Sequence, residues 1–220
     1  MGMELREEPV EALVEHGRVP IAFRVDRVLE VSLPDGGLGG IVLTERGVDV
    51  PYVKDYDAID GERPARWAER FDVANWGLIS AWCDDRRVGG AVIAFNTAGI
   101  DMLEGRDDLA VLWDIRVHPD HRGRGIGSAL FEAVERWSAT SGCRQLKVET
   151  QNVNVAACKF YRRQGCTLGA INRFAYTDLP GETQLFWYKD LDRSIGRRSD
   201  RTGDAAVAPS ALIHKPGASG

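Results

Sequence analysis

The run Val117-His-Pro-Asp-His-Arg-Gly-Arg-Gly-Ile-Gly-Ser128 has the residue types and the spacing to hold a phosphate group. It sets Gly123, Gly125 and Gly127, with Arg122 and Arg124 among them, between an apolar strand-like run and the helix-like run that begins at Ile126. The start of a helix presents unpaired backbone N–H groups and a partial positive charge. Glycines let the backbone approach a guest and take φ > 0, and arginines add charge-assisted contacts. The guest that suits such a loop is a pyrophosphate. A Walker A loop would continue Gly-Lys-Ser/Thr, and the dinucleotide fingerprint would follow the first strand; neither pattern is present.

Two carboxylates are placed to do proton chemistry. Asp114 lies in the strand-like run Val111-Leu-Trp-Asp-Ile-Arg-Val117. Strand alternation sets Asp114 and Arg116 opposite Trp113 and Ile115. A carboxylate among Leu, Trp and Ile should be partly desolvated, which raises its pKa and makes it a better base; pairing with Arg116 is the structural alternative. Glu149 falls near the end of the next strand, where α/β folds gather ligands. It could hold a cation or replace Asp114 as base. Between Tyr52 and Glu62, Asp55, Asp57, Asp60 and Glu62 alternate with Tyr52 and Tyr56. That stretch suits a cationic guest, with cation–π contacts from the tyrosines, or is a solvated acidic loop. His118 and His121 have no third ligand nearby, so no metal is expected.

The elements that must position these residues follow from periodicity. Residues 1–20 read as a polar extension with a helical turn near Val10–Val14. Ile21–Val31 alternates as a strand, Ile41–Leu43 as a short one, and Tyr52–Arg70 has no clean period. Gly77–Asp84 and Val88–Asn96 form a hairpin across Asp85-Arg86-Arg87, and Leu109–Val117 is the next strand. Ile126, Leu130, Ala133, Val134 and Trp137 make an amphipathic helix closed by Gly142. Leu146–Thr150 is a strand; Asn154 caps a second helix ending at Gly165; Thr167–Ala170 and Thr183–Tyr188 are closing strands. From Ser194 to Gly220 the composition predicts a disordered tail. Two crossovers between parallel strands imply an α/β (α+β) fold: a mixed central sheet with helices on both faces.

Bulk properties narrow the partners. With 220 residues and 44% hydrophobic content, the chain is long enough for one domain with a real core. A net charge of −5 without a basic stripe argues against nucleic acid and for a cationic partner. No apolar run approaches the roughly 20 residues of a membrane span, and the acidic start lacks a signal-peptide core. A cytoplasmic protein, with no membrane partner, is therefore expected. Cys83, Cys143, Cys158 and Cys166 show no CxxC spacing and are expected to be reduced thiols.

The spacing Arg122-x-x-Gly125-x-Gly127 resembles the acetyl-CoA signature of the GNAT superfamily of N-acetyltransferases. Asn154-x-x-Ala157-x-x-Phe160-Tyr161-x-x-x-Gly165 looks like its second cofactor helix. Within that superfamily, Pro51-Tyr-Val-Lys-Asp-Tyr56, Glu149-Thr-Gln-x-x-Asn154, Ala157-Cys-Lys-Phe-Tyr161 and Phe186-Trp-Tyr188 together resemble streptothricin acetyltransferases; Cys166 departs from the Phe usual there. The resemblance implies a GNAT domain over residues 21–193 with a splayed pair of parallel strands. It implies transfer of an acetyl group from acetyl-CoA, without a metal, to an amine of the antibiotic's β-lysine part. Another amine, on a polyamine, an amino acid or a protein, is the alternative. It further implies that Arg122, Gly123, Arg124, Gly125, Ile126, Gly127 and Ser128 hold the pyrophosphate. Main-chain groups of Ile115 and Val117 would bind the pantetheine as an added strand would, helped by a bulge near Asp114. Asn154 would contact the same arm or only cap its helix. Tyr161 would protonate the departing sulfur, Asp114 or Glu149 would act as base, and Tyr52, Asp55, Tyr56, Asp114 and Glu149 would meet the acceptor. A monomer and a homodimer are both compatible with the sequence.

Overall fold

Gly77–Phe95 and Leu109–Val117 are almost continuously apolar, which is the pattern of strands buried on both faces. In a computed structural model, which describes residues 2–192, they are the centre of a seven-stranded sheet. Its strands are β1 (Met3–Glu8), β4 (Gly77–Cys83), β5 (Arg86–Phe95), β6 (Leu109–Val117), β7 (Gln145–Gln151), β8 (Thr167–Asn172) and β9 (Gln184–Asp190). The spatial order is β1-β4-β5-β6-β7-β9-β8, and only β6 and β7 pair in parallel. A separate ribbon, β2 (Phe23–Ser32) with β3 (Val42–Lys54), lies beside it.

The sheet divides the core in two. Helix α3 (Ile126–Thr140) sets Ile126, Leu130, Phe131 and Val134 against Ala91, Ile93, Ala110 and Leu112. Each such large side chain, once buried, contributes about 1.5–3 kcal/mol. Helix α4 (Val155–Arg163) adds Cys158 and Tyr161 to the same face. The opposite face is closed by short turns, α1 (Leu13–His16) and α2 (Trp67–Arg70). There Leu13 and Trp67 pack with Trp76, Val92 and Val111.

Three local expectations are corrected. Residues 1–20 are not a mere polar extension: β1 pairs with β4 from Met3↔Cys83 to Glu8↔Leu78, and Leu13, His16 and Val19 are buried. Charge on alternate residues of β1 is what a solvated edge strand carries, and it conceals the strand. The hairpin turn is Asp84-Asp85 alone, both with positive φ (47° and 59°), while Arg86 and Arg87 belong to β5. That is the two-residue geometry whose twist matches its strands. The third concerns β3, which runs to Lys54 through a stretch read as irregular. The register jumps from Arg27↔Gly47 to Val25↔Tyr52, so Pro51 sits in the skipped segment, where a missing N–H costs no ladder bond. The expected tail from Ser194 lies outside the described residues.

Candidate active site

The strand pair β6–β7 opens where the sequence placed its chemistry. Their ladder runs from Leu109↔Gln145 to Leu112↔Val148 and stops there. One residue later β6 bulges: Ile93 pairs with Leu112 but Val92 with Asp114, leaving Trp113 as the extra residue. The bulge resets the alternation. Trp113 packs with Trp67, Phe71 and Trp76, and Asp114 reaches His16 of α1 on that same side, whereas Ile115 packs with the α3-side core. The expected opposition of Asp114 to Trp113 is thereby overturned. Beyond the bulge Ile115 and Val117 pair only with β5, so their edge towards β7 stays open.

A cleft of 1060 Å³ fills this opening. At one end lies the glycine loop. Gly125 is the N-cap of α3 with φ 84°, and no side chain caps the helix. Gly123 has φ 76°, and a Cβ on either glycine would meet open space. The first-turn N–H groups of this 15-residue helix are thus left without a side-chain cap at the loop end of the cleft. Arg122, Ile126, Gly127 and Ser128 line the same end, while Arg124 does not. Arg122 donates from Nε to Val117 O (3.0 Å) and from Nη2 to Ala22 O (3.2 Å), bracing the loop. Ser128 Oγ accepts from Gln164 Nε2 at 2.9 Å. Asn154 lines the cleft and also caps α4, its Oδ1 accepting from Ala157 N at 3.1 Å. Tyr161, on α4, faces the cleft but is otherwise buried, and burial pushes its phenol well above the ordinary value.

The other end is acidic. Glu149 Oε1 accepts from Tyr176 Oη at 2.5 Å; Tyr176 Oη accepts from Gln151 Nε2 at 2.9 Å; and Gln151 Oε1 accepts from Tyr56 Oη. Burial, then the charge of Glu149, pushes the Tyr176 phenol up, so it remains a donor to that carboxylate. Lys54 is taken up by Glu182 at 2.6 Å. Asp57, paired with Arg116, and Glu62, paired with Arg70, also line the cleft. Tyr56 is therefore in the cleft, but Tyr52 and Asp55 are not: Tyr52 is exposed on β3, and Asp55 caps the turn Tyr56–Ala58 by accepting from Asp57 N. Sequence reading missed Gln151 and Tyr176 as site residues. Gln151 stands in the same strand as Glu149, two positions on, which alternation sends to the same face; Tyr176 lies on the β8–β9 loop, which carries no periodic signal.

Asp114 is not the raised-pKa base the sequence suggested. It lines the cleft yet is 8% exposed, and its carboxylate is fully engaged. Arg116 donates from Nε to Oδ1 (2.9 Å) and from Nη2 to Oδ2 (2.6 Å), and His16 Nε2 lies 2.7 Å from Oδ1. Burial alone would raise the pKa; the charge and hydrogen bonds of Arg116, then of His16, outweigh it and hold Asp114 well below the usual carboxylate range. A folded-state pKa below the unfolded value of about 3.9 stabilises the protein above that value and loses the stabilisation as pH falls towards the folded value. Asp114→Asn should remove this contribution. Urea midpoints of the two proteins are expected to differ most above about pH 5 and to draw together progressively as pH falls below about 4; a gap that widens in acid would contradict the assignment.

The sequence model of the Acetyltransferase (GNAT) family matches residues 49–166, more than half of the chain. The chain belongs to the GNAT acetyltransferase family. Streptothricin acetyltransferase of Escherichia coli is 33% identical over 169 residues, covering 76% of this chain and 84% of the relative. Streptothricin acetyltransferase A of Bacillus subtilis is 28% identical over 147 residues, covering 66% and 77%. A Bacillus anthracis structure in complex with acetyl coenzyme A, of a protein provisionally assigned as a streptothricin acetyltransferase, is 26% identical with a TM-score of 0.68, covering 87% of this chain and all of that one. This GNAT protein is accordingly an acetyl-CoA-dependent N-acetyltransferase. Among the described residues, no helix is long and apolar enough to cross a membrane.

Proposed function

We propose that this enzyme acetylates a primary amine of a small cationic acceptor, namely the β-lysine moiety of streptothricin. The observation that carries the reading is the Glu149 carboxylate, presented by Tyr176 in a cleft that Asp57 and Glu62 also line. A polycationic acceptor is drawn there by charge. The similarity to streptothricin acetyltransferases over most of the chain supports the same acceptor. An alkylamine is mostly protonated at neutral pH, with a pKa of about 10, so it must lose a proton before it attacks. Glu149 holds the ammonium and takes that proton, directly or through water. Acetyl-CoA supplies an activated thioester carbonyl. Tyr161, protonated at working pH, donates a hydrogen bond to the departing sulfur. Full transfer from a phenol above 10 to a thiolate near 8.5 is uphill, so its contribution is that of one hydrogen bond to a charged atom, about 1.5–3 kcal/mol. Tyr161→Phe should therefore lower kcat about ten- to a hundredfold and leave the melting temperature within a few degrees. An unchanged kcat would remove Tyr161 from the chemistry. The reading itself is tested with purified protein, acetyl-CoA, a thiol reagent and a panel of streptothricin, polyamines, amino acids and peptides. CoA release with streptothricin at the highest kcat/KM is expected; release only with another amine would reassign the acceptor.

A further inference from the structure

A buried chain of polar contacts links the N-terminal segment to the acidic wall of the cleft. His16 is fully buried, with Nε2 at Asp114 Oδ1. Arg116 grips Asp114 through Nε and Nη2. On its far side it gives Nη1 to Asp57 Oδ2 (2.9 Å) and Nη2 to Asp57 Oδ1 (3.3 Å). The Arg116 side chain is 1% exposed and Asp57 19% exposed, so the place of Asp57 on the wall is set from inside the protein.

One guanidinium serves two carboxylates, and Nη2 is shared between them, closer to Asp114 (2.6 Å) than to Asp57 (3.3 Å). Any donor added to Asp114 lessens its demand on Arg116. His16 Nε2 is that donor: it lies 2.7 Å from a carboxylate oxygen, which accepts, while Nδ1 has no hydrogen-bond partner among the described residues. Gly90 makes room for the ring: a Cβ there would stand 2.6 Å from Nδ1 and 3.0 Å from Cε1.

We propose that His16 is a positioning residue for the amine acceptor: by donating to Asp114 it leaves Arg116 free to hold Asp57 at the cleft wall. A residue of the N-terminal segment thus sets acceptor affinity without touching the acceptor. The proposal rests on the amine-acceptor reading above.

The test is steady-state kinetics of the full chain with the best amine found for the wild type, streptothricin if that reading holds. His16→Leu is expected to raise the acceptor KM about tenfold, the effect of losing one charge-assisted hydrogen bond, with kcat and the acetyl-CoA KM within about twofold. His16→Gln, whose amide can donate to Asp114, should recover most of the loss. Asp57→Asn should raise the acceptor KM similarly, and the His16→Leu/Asp57→Asn pair should be no worse than Asp57→Asn alone, because the two act in series. An unchanged acceptor KM in His16→Leu, an additive double variant, or an equal rise in the acetyl-CoA KM would each overturn the proposal. Should His16→Leu not fold, Gly90→Ala crowds the same ring, 2.6 Å from Nδ1, and also the Ile79 carbonyl at 3.0 Å, while keeping every charge. An acceptor KM unaltered in that variant overturns the proposal as well. Failure of the amine reading would show in the wild type, as no turnover of any amine; failure of this proposal shows only in ratios among variants.

Discussion

Glu149→Gln should lose most of its turnover while still binding acetyl-CoA. The substitution keeps the shape and the hydrogen bond from Tyr176 but removes the charge that holds the ammonium and the lone pair that takes its proton. General base catalysis is worth about 10²–10⁴-fold, so kcat/KM for the amine should fall by at least about a hundredfold. Acetyl-CoA affinity by calorimetry should stay within about twofold, since Glu149 is on β7 and bonded to Tyr176 and is no part of the glycine loop. Asp114→Asn is the necessary comparison. If Asp114 were the base, that variant would be the dead one and Glu149→Gln the mild one. The ion pairs of Asp114 with Arg116 and His16 argue for the opposite order.

Gly125→Val should abolish useful acetyl-CoA binding while the fold persists. Two effects add. Valine at φ 84° is strained by about 1–3 kcal/mol, which for a chain of this size lowers Tm by several degrees. Its branched side chain also enters the open space before the first-turn N–H groups of α3, where a glycine leaves nothing within 4 Å. A rise in Kd of about a hundredfold or more, roughly 3 kcal/mol, is expected by calorimetry. Gly142→Val separates the effects: φ is 88° with equally open surroundings, but it lies past the other end of α3. It should show the loss of stability with acetyl-CoA affinity unchanged. Equal Kd changes in both variants would mean that the loop acts through stability alone.

The sequence was most legible where a single element carried both pattern and chemistry. The strand–loop–helix from Leu109 to Thr140 and the capped helix after Asn154 stand where periodicity placed them, because glycine, cap and apolar stripe all agree there. What escaped was what depends on partners. β1 has no apolar run because one of its edges and one face meet water, and its membership in the sheet is decided by β4. The raised pKa expected for Asp114 failed because desolvation was visible in its neighbours, while the compensating charge needed a bulge at Trp113 and a histidine 98 positions away. Tyr52 and Asp55 stood in the right segment, but a short turn hands the cleft to Tyr56 and Asp57 instead.

The strand order has a consequence for how the molecule comes into being. β7, which carries Glu149, has β6 on one side only as far as Val148, and on the other side it pairs with β9 rather than with β8, its successor in the chain. Among the described residues, β8 in turn pairs with β9 alone. A growing chain therefore holds β1 unpaired until β4 is made, and leaves β7 and β8 apart until Gln184–Asp190 slides between them. Pairings so distant in sequence fold slowly and cooperatively. Trp187 Nε1 of β9 donates to Thr150 Oγ1, the residue after Glu149, so β9 also ties down the strand that carries that carboxylate. Damage to that late strand would thus be felt in the assembly of the sheet, since β7 and β8 meet through it.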